Sequence, residues 1–173
     1  MRFLAGVLVG VAALGAAALA FLVSGLLEVA AAVPPGTLET RIARFALERS
    51  VSKRAPKTQN PIARGDAGAL REGREHYREM CVVCHGAPGV DASEIGEGLN
   101  PPAPDLTLGR IQALSDGELF WIVQNGIRMS GMPAFGATHR DRQIWEIVAF
   151  LRHLPSITPE EEKALAAATK DAD

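Results

Sequence analysis

The chain is poor in cysteine, in aromatic residues and in the alternation that marks half-buried strands. Two cysteines occur among 173 residues, Phe, Trp and Tyr together make up 5%, and few stretches alternate apolar and polar side chains with period two. The last absence sets aside a β-rich fold and predicts an all-helical one, in one modest domain with appendages. A formal net charge of −2 gives no net-charge drive toward nucleic acid, whose binding rests on neutralised phosphates. Charge is missing altogether from Phe3 to Leu27, 25 residues rich in Ala, Leu, Val and Gly and broken in character only by Ser24. As a helix this run is about 37 Å long, enough to cross a hydrocarbon layer of about 30 Å, and it exceeds the roughly 7–15 apolar residues of a cleaved signal. The length predicts an uncleaved membrane anchor within residues 1–33. Ala30, Ala31 and Ala32, just before Pro34 and Pro35, keep a cleaved signal sequence as the alternative. No cysteine lies near residue 30, so a lipid-modified amino terminus has no attachment point.

Both cysteines fall in one short motif, Cys81-Val82-Val83-Cys84-His85. Residues three and four apart on a helical turn share a face, so two thiols and an imidazole can point the same way. Cys-x-x-Cys-His is the attachment signature of a covalent haem, in which the sulfurs bond to two vinyl groups of one porphyrin and the histidine reaches the iron. The same cysteines suit a structural disulfide, a redox dithiol or half a zinc site. Zinc needs two more ligands at comparable spacing, and only His76, His139 and His153 remain, scattered singly. A thioredoxin-like dithiol needs a βαβ pattern that this chain lacks. The motif therefore predicts one covalently bound haem c, held by two thioethers to Cys81 and Cys84, with His85 as an iron ligand.

Beyond residues 1–33 the chain divides into three further stretches. Residues 34–65 form a basic linker in which Leu38, Ile42, Phe45 and Val51 recur among basic side chains, as in a short amphipathic helix at a membrane surface or a solvated linker helix. Pro56 and Pro61 stop it, so this tether ends near residues 60–65. Residues 66–156 carry the main domain. Asp66 is a suitable N-cap for a helix running to Cys81, with Gly73 and Tyr77 on the side of Cys81. Ile144, Ile147, Val148, Leu151 and Leu154 form an apolar stripe on a last helix over 141–154, a partner that the glycine admits closely and the tyrosine packs against. Between them, residues 86–109 are rich in Gly and Pro and predict an irregular, functional loop. Ser115 and Glu118 predict a capping box for a helix ending near Gly126, whose Leu119, Ile122 and Val123, with Phe120 or Trp121, build a wall; Trp121 and Trp145 are assigned to packing. Residues 157–173 form an acidic, Ala-rich tail in which Thr158, Pro159 and three glutamates start a short helix, with too little apolar surface to require docking.

Gly73, Tyr77, Cys81, Cys84, His85, Gly86, then Gly131, Met132, Pro133, and finally the helix with Trp145 and Phe150, resemble in order and spacing the class I cytochrome c family, over about residues 66–156. The chain looks in particular like a membrane-anchored bacterial member with a single haem. The resemblance implies an all-α fold in which the first and last helices cross beside the haem, here preceded by a transmembrane helix. It implies His85 and Met132 as axial ligands, the second on a Gly-Met-Pro loop that Pro133 stiffens. Met129 is the competing sulfur, Met80 shares the helix of the motif and Met1 is remote. His76, His139 and His153 are not assigned to iron. A proline carbonyl in the Pro-rich loop, Pro101 or Pro102, is expected to hold the imidazole of His85. Six-coordinate iron with no open position implies a one-electron carrier and not an enzyme, working with redox protein partners such as a membrane dehydrogenase or oxidase complex. The alternatives are a fixed haem-c subunit of such a complex and, if Met132 is displaced, a peroxidase or gas-binding protein. Basic residues concentrate after the apolar run, which alone would place the domain in the cytoplasm. Haem attachment of this kind resembles an export-linked process, which places the domain in the periplasm, anchored to the bacterial inner membrane.

A domain of about 90 residues has a limited core, and a buried porphyrin adds a large apolar surface to it. The protein without haem is therefore expected to be largely unfolded. Circular dichroism checks this, and a cooperative, natively helical apo form contradicts it.

Overall fold

The amino-terminal apolar run forms one helix, α1 (Arg2–Val23), in the computed structural model, which describes residues 2–170. Met1 and the last three residues of the acidic tail lie outside the described residues. α1 is long and apolar enough to cross a membrane, the property of a membrane anchor or a signal sequence. It stops four residues short of the expected Leu27. Ser24 Oγ donates to the carbonyl of Phe21, and Gly25 follows with a left-handed φ of 73°, a conformation that ends a helix at little cost for glycine.

A second compact unit begins at Pro34. Among the described residues its regular elements are all helices, apart from one isolated bridge between Ala87 and Val90. Its first helix, α2 (Thr37–Arg54), covers the expected amphipathic segment. The linker beyond it is not a free tether. Val51 and Ala55 are buried, and α2 packs on a later helix, α7 (Asp116–Asn125). The Pro56 carbonyl lies where a side chain on Gly117 would sit, 1.9 Å from the Cβ position. Asn60 then ties three elements together. Its backbone N–H donates to Asp116 Oδ2 at 3.1 Å, its side-chain amide donates to the Trp145 carbonyl at 2.8 Å, and its Oδ1 accepts from Ile62 N.

The frame of the unit is the crossing of α3 (Ala67–Met80) and α8 (Asp141–His153). Asp66 caps α3 as expected, accepting from Ala69 N at 3.0 Å. α8 carries the expected stripe, with Ile144, Ile147, Val148, Phe150 and Leu151 all buried. At the crossing a Cβ on Gly73 would fall 2.1 Å from the Glu146 carbonyl oxygen and 3.0 Å from Phe150 Cβ. Any larger residue must push the helices apart, at about 1–3 kcal/mol for overpacking. One turn along, Tyr77 is wholly buried with its ring 5.4 Å from that of Phe150. Burying such a ring contributes about 2–3 kcal/mol.

α7 starts with the expected capping box: Ser115 Oγ accepts from Glu118 N, and the Glu118 carboxylate accepts from Ser115 N. Its Leu119, Phe120 and Val123 are buried, and Phe120 stacks on Trp145 at 4.2 Å, while Trp121 and Ile122 are half-buried. Arg152 on α8 holds the approach to this helix. Its guanidinium donates to Asp116 Oδ1 at 2.8 Å, to the Gln112 carbonyl at 2.7 Å and to the Leu114 carbonyl.

The carboxy-terminal tail corrects the expectation that it need not dock. α9 (Pro159–Lys170) packs on α3 and on α4 (Val82–His85), the short helix of the motif. Leu165, a single leucine in an alanine-rich run, is completely buried. His153 Nε2 and Thr158 N both meet Glu161 Oε2, at 3.0 and 2.8 Å, which fixes the start of α9.

Burial alone would raise the pKa of Asp116; the Asn60 amide and the Arg152 guanidinium outweigh it and hold the carboxyl below its ordinary value. A carboxylate whose pKa is depressed by folding contributes stability above its unfolded pKa, about 3.9, and loses it as pH falls through the folded value. Asp116→Asn is expected to lower unfolding free energy by about 1–2 kcal/mol near neutral pH. The gap between variant and wild type should close below about pH 4. Denaturant melts across that range check it, and a gap independent of pH contradicts it.

Candidate functional site

α3 delivers Cys81 as its C-cap, and the chain turns directly into α4, so that Cys81, Cys84 and His85 occupy one helical turn. The Cys81 carbonyl accepts from both Cys84 N at 3.1 Å and His85 N at 2.9 Å. Both cysteines are free, and each residue is half-buried. Burial, with the neighbouring Cys84, pushes the Cys81 thiol up to about 12, the opposite of the lowered pKa of a reactive redox dithiol. No three His, Cys, Asp or Glu side chains come together as a metal-holding group among the described residues.

The imidazole of His85 is fixed by a carbonyl, and the residue is Pro104, not Pro101 or Pro102. The Nδ1 to oxygen distance is 2.8 Å. A carbonyl only accepts, so Nδ1 carries the proton and Nε2 keeps its lone pair for a metal. Burial lowers the pKa of His85, with the Pro104 bond partly offsetting it, so the ring is neutral at neutral pH. Composition revealed a proline-rich loop, but which proline faces the ring depends on how that loop folds.

Further contacts secure this turn, some from Gly86 and Tyr77 and others from Ser93 and Gly96, which the sequence had not singled out. Gly86 ends α4 with φ 59°, and a side chain there would meet the Val90 carbonyl. The Tyr77 hydroxyl donates to the Gly86 carbonyl at 2.6 Å, tying the turn to the crossing of α3 and α8. Burial pushes that hydroxyl well above the usual tyrosine range, so it remains a donor. The loop expected to be irregular contains one helical turn, α5 (Glu94–Glu97), capped by Ser93, and ends at a second, α6 (Gly109–Gln112). Ser93 also donates through both N and Oγ to the Val83 carbonyl, at 3.0 and 2.9 Å. A Cβ on Gly96 would lie 2.9 Å from Cys84 Cα. The Gly-rich loop thus lies directly on the backbone of the motif. Ser93 and Gly96 carried no distinguishing local signal.

The Gly-Met-Pro segment sits beyond α7. Gly126 caps that helix with φ 64°, and its Cβ position is only 2.6 Å from the Pro133 carbonyl carbon, so the loop returns onto the helix end. Ile127 N donates to the Met132 carbonyl at 3.2 Å, Ser130 Oγ accepts from Met132 N at 3.2 Å, and the same hydroxyl donates to the Ile127 carbonyl at 2.8 Å. Met132 is half-buried and packs against the hydrophobic core. Met129 stands at the apex, left-handed at φ 60° and 91% exposed. The three other histidines have partners of their own: His76 and His139 meet edge to face at 5.1 Å, and His153 pairs with Glu161.

The donor set suits a haem: two free thiols and a neutral imidazole on one turn, a half-buried thioether on a hydrogen-bonded loop, and half-buried Leu106, Ile111 and Leu114 packed on the core. Two helices crossing beside a Cys-x-x-Cys-His turn are the arrangement of a class I c-type cytochrome, and over residues 68–151 the chain carries such a domain, of the kind that holds haem iron for electron transport. Residues 68–151 match the protein family described as cytochrome c oxidase, cbb3-type, subunit III. No curated protein matches the chain.

Tyr77→Phe removes the hydroxyl that ties α3 to the turn after the motif. It is expected to cost about 1–2 kcal/mol, the ordinary loss for a hydrogen bond whose buried acceptor is left unpaired. Denaturant unfolding of the haem-loaded protein measures this, and an unchanged midpoint contradicts it.

Proposed function

We propose that this protein is a one-electron carrier with a single haem, bound by thioethers to Cys81 and Cys84 and ligated by His85 and Met132. The observation that carries the reading is the contrast between Met132 and Met129. Met132 is drawn against the core by a closed loop, whereas Met129 projects into solvent from its apex. The bond from His85 Nδ1 to Pro104 supports the other side, since it leaves Nε2 to bind iron and raises its basicity. When bound, the haem supplies reversible one-electron chemistry between ferrous and ferric iron. The chain holds the imidazole in one tautomer, presents one sulfur from a loop stiffened by Pro133, and covers the site with apolar side chains. Residues held this firmly would need little rearrangement when the charge of a bound haem changes, and with both His85 and Met132 engaged by its iron no place would remain for a substrate.

We place residues 66–156 as the haem domain and α1 as a retained anchor, with the domain on the periplasmic side of a bacterial inner membrane. The donors and acceptors would then be membrane dehydrogenases or oxidases. A second reading, a fixed subunit of an oxidase complex, is favoured by the match to a family described as an oxidase subunit. Co-purification in mild detergent separates the two: a stable complex supports the subunit, an isolated chain the tethered carrier.

Met132→Ala is expected to abolish the methionine-to-iron charge-transfer band and lower the potential, while Met129→Ala leaves both unchanged. Optical spectra and pyridine haemochromes of the two variants check this, together with intact mass for a single added haem. A band that survives in Met132→Ala, or a mass without haem, overturns the proposal.

A further inference from the structure

α2 has two apolar sides, and only one of them is used by the fold. Val51 near its end, with Ala55 just beyond, is buried against the haem-bearing unit. At about 100° per residue, Leu38, Ile42 and Phe45 form one row on the opposite side of the helix. Their exposures are 70, 60 and 63%. Arg41, Arg49 and Lys53 fall beside or in line with that row, and the Arg49 guanidinium lies 5.7 Å from the centre of the Phe45 ring. Residues 34–65 contain seven Lys or Arg against two Glu, whereas the chain from residue 66 onward contains ten against seventeen acids. The basic charge is thus concentrated where the apolar row is exposed.

We propose that this face of α2 lies on an anionic lipid surface and acts as a bracket that seats the haem domain on the bilayer. The charge pattern suits such a surface: the segment carrying α2 is attracted and the acidic remainder is repelled, which orients the unit. Thirteen residues separate Val23 from Thr37 in the sequence, so the exposed row follows closely on the apolar run. A second copy is a poor occupant. A stable dimer buries about 800 Å² per partner, more than one row of three side chains supplies, and two basic helices repel each other. Because α2 is also fastened to the haem-bearing unit through Val51, Ala55 and Asn60, seating it limits how far the haem domain swings. The inference rests on α1 being a retained anchor and deepens that reading from tethering to orientation.

The test uses the full, haem-loaded chain in nanodiscs containing phosphatidylglycerol. A nitroxide is attached through a keto amino acid at position 42 or, as control, at Thr40 on the other side of α2, leaving both cysteines untouched. The label at 42 should be several-fold less accessible to a water-soluble nickel chelate than the label at 40, and more accessible to oxygen. Protection should weaken in discs of phosphatidylcholine alone or in high salt. Leu38→Glu with Phe45→Glu should abolish it without altering the haem spectrum. Equal nickel accessibility at 42 and 40 overturns the proposal, as does protection that is indifferent to lipid charge, that requires two copies per disc, or that occurs only in native membranes with other proteins. Intact mass and the haem spectrum of the same sample report separately on the anchor and the cofactor, so their failure is distinguishable from failure of the docking.

Discussion

Where α3 and α8 cross, the backbone at Gly73 lies so close to the Glu146 carbonyl that a methyl group would have no space. This contact sets the separation of the two helices, and the separation allows Tyr77 to reach Phe150 on one side and the Gly86 carbonyl on the other. The turn that carries both cysteines and His85 is therefore positioned by a packing constraint eight residues upstream of it. Disturbing the crossing moves the cofactor turn as well as the core, because the two share Tyr77.

The rest of the unit closes around that turn from several directions. Ser93 and Gly96 bring the Gly-rich loop onto the backbone of α4, α9 covers it with the buried Leu165, and Pro104 reaches the imidazole. Met132 arrives separately, on a loop that folds back against the C-cap of α7. The attachment turn and the thioether loop come from distant parts of the chain, and each is held by its own hydrogen bonds. Such rigidity suits electron transfer, in which a site that reorganises little between charge states has the lower barrier.

Much of this was legible locally. The cap at Asp66, the capping box at Ser115 and Glu118, the stripe on α8 and the haem motif depend on residues within a turn or two of each other, where spacing alone fixes the side of the helix. The misreadings share the opposite property. Pro104 replaces Pro101 or Pro102 because a loop chooses its contact only when folded. The tail docks because α9 packs on α3 and α4 with its one leucine in the shared core, which no count of apolar residues in the tail itself reveals. The linker is fastened because Asn60 meets Asp116 and the Trp145 carbonyl, partners 56 and 85 residues away.

The sequence by itself determined the chemistry: two thiols and an imidazole at fixed spacing, an apolar run long enough for a bilayer, and helices whose caps and stripes are written within a few residues. Tertiary structure decided the environment of that chemistry, namely which carbonyl holds His85, which methionine is drawn against the core and which face of α2 is left uncovered. The physical reason is range. Helix periodicity and capping act over three or four residues, whereas burial and hydrogen bonding between elements depend on which surfaces meet, and that is settled only when the whole unit packs.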